Sequence, residues 1–139
     1  TTPALTAGLL QLHDYLDESH SHSQSIDGNR WGDHWHGIMH RREPDYSNSK
    51  YWYRRVGTSP IFDDLAERAG NVLSDCRDSS AAEYADSLGV PEAWDAFAFV
   101  ELCQEAASGG AGEIETAAQQ IQFWEMLLLL HSNHEVMTS

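Results

Sequence analysis

The amino-acid sequence predicts an all-α protein, a single-domain bundle of about six to seven helices. Three observations carry that expectation. Apolar residues recur at 3.6-residue spacing along most of the chain. No stretch shows the repeated alternation of Val, Ile and Thr that marks a half-buried strand. Capping and breaking residues then divide the periodic stretches into helix-sized pieces. At 139 residues and 41% hydrophobic, the chain is long enough to bury a core without staples. No low-complexity linker interrupts it, so residues 1–139 are expected to form one domain.

Thr2 and Pro3 suit the N-cap and first position of an opening helix, on which Leu5, Leu9, Leu12 and Leu16 form one apolar stripe. That helix should fade in SHSHSQSIDGN, where Ser, Asp and Gly compete for the backbone. A second helix is expected from about Asn29 to Arg42, broken by Pro44. A third follows over 45–57, capped by Asp45, ended by Gly57, and carrying Arg54 and Arg55 in its last turn. IFDDLAERAGNVL reads as a short helix with Ile61, Leu65 and Ala69 on one side. Another spans Ala81 to Leu88, stopped by Gly89 and Pro91. Two longer helices, Glu92 to Ala107 and Glu113 to about Leu130, flank a Gly-rich turn, and the tail after His131 is expected to fray. In the last helix Ile114, Ala117, Ile121, Trp124 and Leu128 follow core spacing. The run Leu127 to Leu130 covers more than one face, which predicts a central helix or one whose far side meets a partner, including a second copy of the chain.

The protein is acidic, with 22 Asp and Glu against 8 Lys and Arg and a formal charge of −14. That balance argues against nucleic acid or an anionic membrane as partner. The longest apolar run, Met126 to Leu130, is too short to span a bilayer. Two cysteines make no disulfide framework, and the N-terminal segment lacks the pattern of a signal peptide, so a soluble cytoplasmic protein is expected. A single Lys beside seven Arg is a bias found in proteins of saline environments and also in ordinary acidic proteins.

The charge is unevenly spread. Between Arg30 and Arg55 six basic residues face three acids, a local +3, so the other 113 residues carry −17. The same segment holds three of five Trp, three of five Tyr and three of eight His. On a helical wheel Trp31, Trp35, Ile38 and Met39 share one arc, while His36, His40 and Glu43 share the next. Two imidazoles and a carboxylate at this spacing, with His20 or His22 as a further ligand, can offer a set of donors to Zn or another divalent metal. HxxxH is also common by chance, and no acid lies within the pair as a general base. In the third helix Tyr46, Ser49, Trp52, Tyr53 and Val56 form the packing side. Lys50, Arg54 and Arg55 project oppositely, with Tyr51 beside them. If the two helices pack as an antiparallel hairpin, their polar arcs line a groove containing His36, His40, Arg41, Arg42, Glu43, Lys50, Tyr51, Arg54 and Arg55. Arg grips carboxylate or phosphate in two places and stacks on rings. The competing structural role is charge neutralisation of neighbouring acids.

Two resemblances attach to these residues. Gly37, Pro44-Asp45-Tyr46, Ser49, Tyr53, Val56 and Pro60 resemble a tetratricopeptide or Sel1-type helical hairpin near residues 29–57. Pro44 stands for the usual turn Gly, Ser49 for the usual Ala, and Pro60 comes about one residue early. One copy is present, which implies a local hairpin and not a solenoid. HWHGIMHRREPDYSNSKYWYRRVGTSPIF, with WDAFAFVELCQEA and IQFWEMLLLL, is similar to a family of small uncharacterised helical proteins from bacteria and fungi. That resemblance spans most of the chain and implies no activity.

Glycine-rich phosphate loops, GxSxG and CxxC are all missing from the sequence. Cys103 is expected to pack as a small apolar residue. Cys76, beside Arg77, is expected to be an ordinary exposed thiol, or one with a lowered pKa. The sequence specifies no reaction. It favours binding of a small anionic or polar molecule, or a peptide, in the hairpin groove. The alternatives are a metal-dependent enzyme using His36, His40 and Glu43, and a protein-interaction module.

Overall fold

A computed structural model describes residues 30–109 and 112–138, with side chains over 32–109 and 112–132. The described residues form six helices and no strand: α1 (Arg30–Arg42), α2 (Tyr46–Val56), α3 (Phe62–Ser74), α4 (Ala81–Leu88), α5 (Ala96–Ser108) and α6 (Glu113–Thr138). The protein is thus all-α, as the periodicity predicts. The helix expected at Thr2 to Leu16 lies outside the described residues. Two compact units are distinguished, 30–59 with 129–138, and Pro60–Leu128.

In the first unit α1 and α2 pack as an antiparallel hairpin. Asp33 lies in the first turn of α1, and His40, Arg41 and Arg42 lie in its last, a distribution that matches the helix dipole. Backbone bonds from Glu43 N to the Met39 carbonyl and from Asp45 N to the His40 carbonyl close the connection. Asp45 does occupy the N-cap position of α2, but its carboxylate makes no capping bond. It accepts instead from the Asn48 side chain at 3.2 Å. Gly57, at φ 67°, ends α2 and donates its N–H to the Tyr53 carbonyl.

The wheel for α1 anticipates a buried arc beside a polar one. Every residue from Gly32 to Arg41 is in fact buried. A helix buried all round is normally apolar all round, yet this one carries Asp33, His34, His36, His40 and Arg41 inside.

The Pro60–Leu128 unit is conventional by contrast. Leu65, Ala66, Ala69 and Leu73 of α3, Ala81 and Leu88 of α4, Phe99 and Leu102 of α5, and Ala117, Ala118 and Ile121 of α6 form one apolar cluster. Each fully buried large side chain of this kind contributes roughly 1.5–3 kcal/mol. Gly89, at φ 81°, stops α4 with its N–H on the Ala85 and Asp86 carbonyls. α5 starts at Ala96, four residues later than Glu92. The Asp95 carboxylate accepts from Phe97 N and Ala98 N, which sets the start, and the preceding residues are held in a turn by Ala93 N bonding to the Gly89 carbonyl. α6 runs on to Thr138, past the expected end near Leu130, because HSNHEVMT contains neither Gly nor Pro to stop it. Among the described residues no helix is long and apolar enough to cross a membrane.

Candidate functional site

The hairpin is locked at its middle by small residues. Ser49 Oγ donates to the Gly37 carbonyl at 2.6 Å. The Tyr53 ring lies so close to Gly37 that a Cβ there would fall 2.8 Å from Tyr53 Cε2. Arg41 Nη1 then donates to the Tyr53 hydroxyl at 2.9 Å, within the buried interior, and the edge-on His34 ring stands 5.5 Å from the Tyr53 ring. A glycine in α1 is therefore what lets an aromatic residue of α2 reach a buried guanidinium.

Next to this lock runs a stack of rings. His36 lies face to face with Trp52, centroids 4.0 Å apart and planes within 10°. His40 continues the stack at 6.0 Å from His36 and 13°. On the α2 side the Arg55 guanidinium sits 5.1 Å from the Trp52 ring centroid. Its Nε reaches Asp33 Oδ2 of α1 at 3.5 Å, and its Nη1 reaches the Tyr51 hydroxyl at 3.5 Å. Tyr51 meets Trp52 edge-on at 5.1 Å. Cation, indole and imidazole are held by contacts from both helices, an arrangement that favours positive charge at the ring faces.

The candidate residues thus separate into two sets. His36, at 1% exposure, His40 and Arg41 are interior. Glu43, Tyr51, Arg54 and Arg55 are exposed, and Arg42 and Lys50 are intermediate. His40 Nδ1 lies 3.6 Å from Asp45 Oδ2 and 4.0 Å from Glu43 Oε2, so an imidazolium at this position would meet two carboxylates. Burial holds the Arg42 guanidinium below its ordinary pKa by stripping its hydration. The Gly37, Ser49 and Tyr53 contacts close the two helices on each other at the middle of the hairpin. The exposed candidates are Glu43 in the connection and Tyr51, Arg54 and Arg55 on the α2 rim.

His36 and His40 are brought together by the fold, but His36 is engaged face-on with Trp52. Among the described residues no group of three or more His, Cys, Asp or Glu side chains is arranged to hold a metal ion. His20 and His22 lie outside the described residues. One participant escaped the sequence reading, Asp33 as partner of Arg55, 22 positions away. Trp52, expected on the packing side, packs face to face on His36 and also carries the Arg55 guanidinium. The helical period within one helix offers no signal for either pairing. Gly37 in mid-helix was the visible clue to the lock.

Cys76 differs from its sequence expectation. It is half-buried, with Sγ donating to the Val72 carbonyl at 3.4 Å. Burial first, then Glu113, Asp75 and Asp78, push its thiol above the ordinary cysteine pKa. The neighbouring Arg77 suggested a lowering. The fold instead places Glu113 there, whose Oε1 accepts from Arg77 N at 2.8 Å and Asp78 N at 2.7 Å.

No family model matches the chain, and neither a curated protein nor a solved structure matches it.

Proposed function

We propose that the protein is a binding module that takes a small anionic or polar ligand on the α2 rim, between Tyr51, Arg54 and Arg55, with the interior His and Arg residues holding that rim in shape. The observation carrying this reading is the Arg55 guanidinium laid over Trp52 and tied to Asp33 and Tyr51. A pre-positioned guanidinium loses less side-chain freedom on binding a carboxylate or phosphate than a freely rotating one. Arg54 adds a second exposed cation one residue away. The segment is locally basic within a −14 chain. A compact anion would be attracted to it, while the surrounding carboxylates would oppose a long polyanion.

Thermal unfolding with inorganic phosphate and with citrate, each at matched ionic strength, tests the proposal. The expected result is a concentration-dependent rise in Tm that is lost in Arg54→Ala/Arg55→Ala while helix content is retained. An equal rise in the double variant would mean that the anions act elsewhere.

A further inference from the structure

The outward side of α6 within the Pro60–Leu128 unit carries a pattern that the core does not use. Ala117, Ala118 and Ile121 of this helix belong to the apolar cluster, and half-buried Ile114 and Leu128 pack against it. Thr116, Gln119, Gln120 and Phe123, with Trp124 at the edge, line a surface depression of about 300 Å³. The Arg68 guanidinium sits over the Trp124 ring at 4.1 Å. Phe123 itself is 53% exposed. The first four residues stand at i, i+3, i+4 and i+7, the diamond that receives a knob from a facing helix in coiled-coil packing. Half-buried Leu127 extends the strip by a further turn. These five strip residues carry no charge in a chain whose total is −14.

We propose that this strip is a self-docking seam on which a second copy of the chain lays its own α6, Phe123 of each copy entering the depression of the other. Three features select a second copy. The strip holds both knob and hole, so one surface complements itself across a two-fold axis, as an isologous interface requires. Gln119 and Gln120 each offer donors and an acceptor, so they can pair with their own copies. Two chains at −14 also repel wherever carboxylates meet, and an uncharged strip lets them approach without facing like charges. A basic partner would find no carboxylate on the strip to pair with.

Antiparallel helices keep the acidic first turns, Glu113 and Glu115, at opposite ends of the seam, whereas parallel helices would gather all four carboxylates at one end. From Thr116 to Leu127 the seam is about 17 Å long at ~1.5 Å per residue. That is short beside the ~800 Å² per partner of a standard interface. The dimer is accordingly weak and strengthened by salt, which screens the net charge.

Sedimentation equilibrium of the full chain from about 10 to 500 μM, bracketing the range where so small an interface associates, tests the seam. The weight-average mass should rise from monomer toward dimer, and more steeply at high NaCl. Phe123→Asp should weaken association at least tenfold. Phe97→Asp, the same charge change at an exposed Phe on α5, should associate like the parent chain. A parent chain that stays monomeric throughout overturns the proposal. So does a Phe123→Asp variant that still dimerises, or a Phe97→Asp variant that loses association equally. Circular dichroism of both variants shows whether the fold is kept. The ligand experiment on α2 is independent of this outcome.

Discussion

Among the described residues, the buried polar side chains Asp33, His34, His36, His40, Arg41 and Ser49 belong to the α1–α2 hairpin, while the Pro60–Leu128 unit buries only Glu125. The two regions therefore depend on different physics. In the Pro60–Leu128 unit stability scales with apolar area and volume, quantities that tolerate changes of shape. In the hairpin, where Trp35, Ile38 and Met39 are also fully buried, it depends in addition on directional contacts such as Ser49 to Gly37 and Arg41 to Tyr53, which are lost over small displacements. A region built in the second way is costly to perturb but holds a fixed arrangement of rings and charges. That is the property a recognition surface needs.

Leu65→Ala is the largest expected effect. It removes a fully buried side chain from the apolar cluster and should lower the unfolding free energy by about 3 kcal/mol. Leu65→Met, which nearly conserves volume, should cost under about 1.5 kcal/mol. Urea denaturation measures both, and equal losses would show that the cluster is as shape-sensitive as the hairpin. Gly37→Ala sharpens the contrast from the other side. Adding one methyl where the Tyr53 ring stands 2.8 Å away should cost about 2 kcal/mol, despite the ~1 kcal/mol by which Ala exceeds Gly in helix propensity. A neutral or stabilising Gly37→Ala would mean that the lock has slack.

The smallest effect is a rate. With its thiol pKa raised, Cys76 has less thiolate at a given pH than an ordinary cysteine, so iodoacetamide should modify it several-fold more slowly near pH 8. The rate should keep climbing above the usual cysteine range, and Glu113→Gln, which keeps an acceptor for Arg77 N and Asp78 N but removes the charge, should speed it. Peptide mapping by mass spectrometry separates Cys76 from Cys103. A fast Cys76 would show that the nearby carboxylates do not act on it.

Much of the secondary structure was legible because helix ends are decided by neighbours in sequence. Pro44, Gly57 and Gly89 mark boundaries at or next to where the helices end, and Leu65, Ala69, Ala117 and Ile121 are buried as their spacing predicts. Where an end was misread, a local competitor was underweighted: Asp95 is a better cap than the residues near Glu92, and nothing after Leu130 breaks α6. The candidate site was less legible. His36 and Trp52, Asp33 and Arg55, and Arg41 and Tyr53 are pairs 12 to 22 positions apart across two helices, and a wheel drawn for one helix contains no information about the other.

Composition and local pattern determined that this acidic chain is helical, and that its basic, aromatic residues concentrate in one hairpin. Those properties depend on residue type and on neighbours within a few positions, which the sequence states directly. Only the tertiary structure decided that His36 and His40 of the polar arc are buried, that Arg55 rests on Trp52 against Asp33, and that Phe123 points outward from a helix whose other side is core. Each of these depends on which surfaces exclude water together, and water exclusion belongs to packed pairs of elements, not to any one of them.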